Sequence, residues 1–252
     1  MDWALTLSGF VVGTLVGLTG VGGGALMTPV LVVGFGIPPL VAVGTDLVFA
    51  ALTKALGVVA HARRAAVDWR IVGLMALGSL PASLTTIQWL ARWQAEGLDV
   101  GRWVEGWLGL ALLLTAAALL WRRAPVAGST VVLGRRRAAA TVLAGGVLGV
   151  LVTLTSVGAG ALGVVVLGLL FPALSTPRLV GTDLAHAVPL AAVAGFGHWQ
   201  LGSVDGALLT ALLLGSLPGI WLGARLAHGL SERITRPLLA SLLVVIGLKF
   251  IA

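Results

Sequence analysis

Four short motifs occur twice in this chain, in the same order. Gly44-Thr45-Asp46-Leu47 returns as Gly181-Thr182-Asp183-Leu184, and the same shift sets His61 on His198 and Val67-Asp68 on Val204-Asp205. It also sets Gly78-Ser79-Leu80-Pro81 on Gly215-Ser216-Leu217-Pro218. A glycine-rich stretch, Thr19-Gly20-Val21-Gly22-Gly23-Gly24-Ala25-Leu26, returns as Thr155-Ser156-Val157-Gly158-Ala159-Gly160-Ala161-Leu162, one residue out of that register. Such an ordered set requires an internal duplication. We divide the chain into a first repeat over 1–121, a basic linker over 122–137 and a second repeat over 138–252.

The sequence between the motifs is almost pure hydrocarbon. Of the 252 residues, 58% are hydrophobic and 10% are charged, whereas a soluble domain carries about 25% charged residues. No segment alternates polar and apolar residues as a membrane barrel strand would, so the fold expected is an all-α polytopic membrane protein. Each repeat holds five apolar segments, near 3–19, 24–35, 40–60, 70–91 and 103–121, then 138–155, 160–171, 178–197, 205–227 and 234–251. A span needs about 20 apolar residues, so the second segment of each repeat is a half-helix or a short tilted helix. Pro38-Pro39 and Pro172 end these pieces, because proline cannot continue a helix. The nine Trp residues fall mostly near segment ends, as interfacial anchors do.

Five segments per repeat is an odd number, so the second repeat should lie inverted in the membrane. If the 122–137 linker is cytoplasmic, alternation also puts 61–70, 172–178 and 225–236 inside. These loops are strongly positive, while the opposite ones, which hold Asp2, Glu96, Asp99, Glu105 and Asp205, are slightly negative. This is the asymmetry that orients membrane proteins, and it predicts both termini outside. Basic residues in such loops explain the net charge of +7 without a nucleic-acid partner, and no loop is long enough to form a soluble nucleic-acid platform. A positively charged leader is not evident, since the first basic residue is Lys54.

The glycine stretches are the expected substrate site. Consecutive glycines break a helix, and broken backbone at membrane depth persists only where protein or a water-filled cavity satisfies it. A helix restarting after the break aims free N–H groups and its positive dipole end into the gap. Two interrupted segments in matching positions of two repeats mark a transporter's binding site. The candidates are therefore Thr19, Gly20, Val21, Gly22, Gly23 and Gly24, with Thr155, Ser156, Val157, Gly158, Ala159 and Gly160. Backbone amides and the Thr19, Thr155 and Ser156 hydroxyls would cradle a small anion.

A second group is expected to serve proton coupling or gating. Asp46 and Asp183 are carboxylates in apolar segments, where charge is costly and usually functional. Each either carries a proton or, with Thr45 and Thr182, caps the start of its own helix. Lys54 is either a cationic wall for the substrate or a side chain that snorkels to the cytoplasmic face; its counterpart is Ala191. His61 and His198 either shuttle protons or satisfy the last carbonyls of their helices. His186 stands one turn after Asp183 and is placed to pair with it. No grouping has metal-ligand spacing, and the chain has no cysteine for thiol chemistry. Neither a cofactor nor a metal is expected.

These residues resemble the sulfite exporter TauE/SafE family of membrane transporters. The likeness rests on Thr19-Gly20-Val21-Gly22-Gly23-Gly24 with Pro29, and on the Gly-Thr-x-Leu motifs at 44–47 and 181–184. It also rests on His61 with Arg63, Val67, Asp68 and Trp69, echoed by His198, Gly202, Val204 and Asp205. The resemblance implies movement of sulfur-containing anions such as sulfite or organosulfonates, often outward and driven by the proton gradient. The third motif position departs from the family's frequent Ser or Asn, being Asp in both repeats.

The expected function is thus secondary transport of a small oxyanion by alternating access, with the bilayer and protons as partners. An uptake carrier or a channel for a related anion is the alternative. A remote one is an intramembrane aspartyl protease built on Asp46 and Asp183; such enzymes need two carboxyls sharing a proton, and the tyrosine that usually accompanies them is absent from this chain.

Overall fold

The computed structural model describes residues 3–19, 24–63, 66–121, 134–226 and 232–251. The described residues contain ten helices and no strand. They are α1 (Trp3–Thr19), α2 (Gly24–Pro29), α3 (Pro39–Arg63), α4 (Trp69–Ala95), α5 (Val100–Trp121), α6 (Arg135–Thr155), α7 (Ala161–Leu170), α8 (Thr176–Gln200), α9 (Gly206–Leu226) and α10 (Glu232–Ile251). Helix α2 runs on through a π-helical turn, Val30–Gly34. The protein is an all-α polytopic membrane protein, and its helices match the expected segments to within three residues at most boundaries. Five of them, α4, α5, α6, α8 and α9, are long and apolar enough to cross a bilayer.

The short second segments also appear as read. Helix α7 has 10 residues; at 1.5 Å per residue it covers about half of a ~30 Å hydrocarbon core. Helix α2 and its π-turn are of similar length. The first ends ahead of Pro38-Pro39 and the second ahead of Pro172.

Packing is reciprocal between the halves. The closest helix pairs are α1 with α9, α4 with α6, α3 with α8, and α5 with α10. Exchanging the two halves turns α1–α9 into α6–α4 and leaves α3–α8 and α5–α10 unchanged. The glycines make these crossings close. Gly9 and Gly13 lie on Leu212 and Ser216, and their counterparts Gly145 and Gly149 lie on Met75 and Ser79. Gly78 lies on the Val142 carbonyl, and Gly215 on the Thr6 carbonyl. Small residues at membrane helix crossings let backbones approach, and packing rather than hydrophobicity then supplies the association.

Helices α3 and α8 form the centre. Ala42, Val43, Leu47, Ala187, Leu190 and Ala194 are fully or almost fully buried between them and their neighbours. Outer positions such as Leu77, Leu143, Leu169 and Val245 are exposed, as a lipid-facing surface requires. Trp3, Trp69, Trp89, Trp103, Trp121, Trp199 and Trp221 are exposed near helix ends, and Arg225 stacks over the Trp221 ring at 3.6 Å.

Candidate functional site

The site is built where the second helix break meets the two central helices. Helix α6 ends at Thr155, and α7 starts at Ala161. Between them Ser156 turns left-handed (φ 58°), and Gly158 and Gly160 adopt φ 127° and 130°, conformations that side chains disfavour. The Thr155 hydroxyl closes the break: it donates to the Leu151 carbonyl at 2.7 Å and accepts the Val157 amide at 3.1 Å. It is therefore committed to the backbone, which corrects the expectation that it serves as an anion donor. Helix α2 begins directly on this break. Gly24 lies so close to the Ser156 carbonyl that any side chain there would collide with it. Gly20, Val21, Gly22 and Gly23, and the side chains of Thr19 and His61, lie outside the described residues.

Asp46 and Asp183 are buried, at 0% and 1% exposure. Helix α3 starts at Pro39 and α8 at Thr176, so each Asp stands about two turns inside its helix. Neither can cap its own helix, because only the first-turn amides are unpaired; that expectation is overturned. Instead each carboxyl faces a short helix. Asp46 accepts the Thr28 hydroxyl of α2 at 2.7 Å. Asp183 lies against Gly163 of α7, where a side chain would strike its Oδ1. No described hydrogen bond joins the two carboxyls, and the Oδ1 of each is without a partner.

Lys54 does not snorkel. It is 8% exposed, and its Nζ donates to the Ala159 carbonyl inside the break at 3.0 Å. His186 does not pair with Asp183; its Nε2 meets the Ser79 hydroxyl of α4 at 2.8 Å. His198 is fully buried. Its Nε2 reaches the Thr153 carbonyl of α6 at 2.9 Å, a neighbouring helix's carbonyl rather than one at the end of α8.

Thr45 and Thr182 are fully buried and do something the sequence reading missed. The Asp205 amide donates to Thr45 Oγ1 at 3.0 Å, and the Asp68 amide donates to Thr182 Oγ1 at 3.0 Å. Asp68 and Asp205 in turn cap α4 and α9, accepting from Arg70 and Ile71 and from Ala207 and Leu208. Each Gly-Thr-Asp motif therefore ties the site to the start of the other half's fourth helix. The signal was present in the sequence, since Thr45 and Asp205 sit in motifs repeated in one register.

A break between two helices, lined by buried carboxylates, a buried lysine and hydroxyls in an otherwise apolar bundle, is what a membrane transporter of a polar solute needs. Residues 5–250 match the sulfite exporter TauE/SafE family. The chain belongs to that family. Among curated relatives of this family member is the probable membrane transporter protein YjnA of Bacillus subtilis, 39% identical over 257 residues covering all of both chains. Another is the probable membrane transporter protein YdhB of the same organism, 29% identical over 227 residues and 87% of each chain. No solved structure gives a significant match. The protein is a multi-pass membrane transporter of the TauE/SafE family.

Proposed function

We propose that this transporter moves a small sulfur-containing anion, sulfite or an organosulfonate, outward across the cell membrane in a cycle coupled to the proton gradient. The observation that carries the reading is the α6–α7 break with the start of α2 seated on it, ringed by Asp46, Asp183 and Lys54. The anion sits at this junction. The amides of Gly158 and Ala159 and the unpartnered Ser156 hydroxyl are the donors on the second-repeat side, and residues 20–24 supply those of the first. Helix starts hold an anion without a full counter-charge, so it can leave again.

The two repeats are inverted and rock against each other to open the site to one face at a time. The reciprocal pairing of α1–α9 with α6–α4 supports this, as does the matched pair of threonine bonds. The 122–137 linker lies in the cytoplasm and both termini lie outside, following the distribution of Arg and Lys.

The test uses purified protein and proteoliposomes. Binding is measured for sulfite, sulfate, thiosulfate and a taurine-like sulfonate, and flux of any bound anion is followed with and without an imposed pH gradient. Saturable binding of a sulfur anion and acceleration by the gradient are expected. Binding of none of the four overturns the substrate class, and flux indifferent to the gradient favours the channel alternative.

A further inference from the structure

The caps of α4 and α9 are built alike. In each, one carboxylate oxygen holds the first amides of the helix: Asp68 Oδ1 accepts from Arg70 and Ile71, and Asp205 Oδ1 from Ala207 and Leu208. In each, the amide of the cap donates to a threonine of the other half at 3.0 Å. They differ at the second oxygen. Asp68 Oδ2 lies 3.5 Å from the Arg178 guanidinium, and Arg178 stands one turn before Thr182 on α8. One turn before Thr45, α3 carries Val41 instead. Among the described residues no ion pair reaches Asp205. The place where a second arginine would lie is open. A groove of about 720 Å³ is lined there by Leu5 of α1, by Ile37, Pro38 and Val41, and by Leu208 of α9, with Asp205 as its one charged group among the described residues. The Thr210 hydroxyl, also in the lining, is spent on the Gly206 carbonyl of its own helix at 2.7 Å.

We propose that this groove binds a small soluble organic cation, a guanidinium on an apolar body, which seats on Asp205 Oδ2 as Arg178 seats on Asp68. The other half of the chain shows the fit. There α8 supplies the cation covalently; here α3 does not, and the same carboxylate geometry is left free. A guanidinium is the matching group, because its planar fork of N–H donors suits a carboxylate. The apolar walls favour a hydrocarbon body and give an anion no donor. A bare divalent metal would find one carboxylate and too few oxygens to complete its shell. A bound cation would brace the start of α9 against α3 across the Thr45 bond, as Arg178 braces α4 against α8. Its effect on flux rests on the transport reading; its binding does not.

The test uses the purified full chain and 2-phenylethylguanidinium, with 2-phenylethanol as the neutral reference. Binding is read by calorimetric titration in phosphatidylcholine nanodiscs. Wild type should bind the cation saturably and the alcohol far more weakly. Asp205→Asn keeps an acceptor for the cap and should weaken the cation about two- to fivefold, as loss of an exposed ion pair does, without affecting the alcohol. Val41→Arg supplies the missing guanidinium from α3. It should block the probe and raise the melting temperature, and Asp205→Asn in the same chain should remove that gain. Equal binding of cation and alcohol overturns the proposal, and so does equal binding of the cation by wild type and Asp205→Asn, since the probe would then be partitioning onto apolar surface. Undiminished binding by Val41→Arg overturns it as well. Affinity should be unchanged in phosphatidylethanolamine nanodiscs; competition by that lipid would make a headgroup ammonium the occupant and overturn a soluble one. Should Asp205→Asn not fold, Val41→Arg decides alone. In proteoliposomes the probe should slow sulfite counterflow through wild type and not through Val41→Arg, and equal slowing of both overturns the bracing role. Failure of sulfite counterflow in wild type would count against the transport reading and leave the titration results standing.

Discussion

The paired threonine bonds give the alternating-access reading its sharpest consequence. Thr45 holds the start of α9 and Thr182 the start of α4, each through one N–H···O bond of 3.0 Å. On the proposed topology, Asp205 lies toward the outside and Asp68 toward the cytoplasm, so the two bonds close opposite faces. Thr45→Val keeps the side chain's shape and deletes the acceptor. The amide it strands is part-buried, so water reaches it once the face opens. The net value of about 0.5–1.5 kcal/mol per hydrogen bond applies, not the full desolvation penalty. At about 1.4 kcal/mol per decade, Thr45→Val should shift the balance toward outward-open by about 2- to 13-fold. Thr182→Val should shift it the other way, by less, because Arg178 still holds Asp68 at 3.5 Å. That pair is half-exposed and is worth at most about 1 kcal/mol; Val41 stands in the counterpart position. The chain has no cysteine, so Val157→Cys in the break gives a background-free reporter. An impermeant thiol reagent should label it faster from outside in Thr45→Val and faster from the cytoplasmic side in Thr182→Val, and the double variant should return toward wild type. Shifts in the same direction, or none, would refute the assignment of the two bonds to opposite gates.

Three further outcomes test the packing and the break. Gly149→Ala places a methyl 2.7 Å from Ser79 Cα, an overpacking that should cost about 1–3 kcal/mol in a stability assay, whereas Gly73→Ala, with nothing within 4 Å, should be neutral or stabilising by up to about 1 kcal/mol. Ser216→Ala should be neutral or stabilising, because its hydroxyl is buried without a partner, while Ser79→Ala should cost about 1–3 kcal/mol by stranding His186 Nε2; equal effects would contradict the geometry. Gly158→Leu forces a side chain onto φ 127°, with a strain of about 1–3 kcal/mol, and should abolish anion binding while helical circular dichroism persists; full binding would remove the break from the site.

The helices and their limits were legible because membrane segments announce themselves by length and by proline and glycine punctuation. The duplication singles out the Gly-Thr-Asp motifs, but not their place at the centre of the bundle. What escaped was direction. For Asp46 and Asp183 the sequence leaves both proton carriage and capping open, because they stand early in their apolar segments; with α3 and α8 starting at Pro39 and Thr176, about two turns ahead of them, capping is excluded. His186 was assigned to Asp183 by sequence proximity, yet a helical residue one turn on can point to another helix, and here Ser79 of α4 holds it. Lys54 reads either as a cationic wall for the substrate or as a snorkelling side chain; only the fold shows its acceptor 105 residues away, at Ala159. Partners distant in sequence leave no periodic trace, so such contacts stay hidden until the helices are packed.

The differences between the halves explain more about mechanism than their likeness does. A perfectly symmetrical pair of inverted repeats would make the inward- and outward-facing states mirror images of equal energy, with no intrinsic bias between them. The backbone here keeps that symmetry closely, down to Gly13 on Ser216 and Gly149 on Ser79. The side chains break it in one place after another: Lys54 against Ala191, His186 against Phe49, Ser156 against Gly20, Arg178 against Val41. The orphaned Ser216 hydroxyl is a direct product of this, since Phe49 occupies the position from which His186 satisfies Ser79. Each exchange alters charge or hydrogen bonding near the break or at one gate while leaving the helix crossings intact. On the proposed alternating-access reading, the fold would supply two states of similar energy, and a handful of unmatched polar residues would set which one an empty, loaded or protonated site prefers. Swapping these residues between halves, Lys54→Ala with Ala191→Lys, should therefore preserve the fold and redistribute the labelling of the two faces; a swap that left the distribution unchanged would mean the bias lies elsewhere.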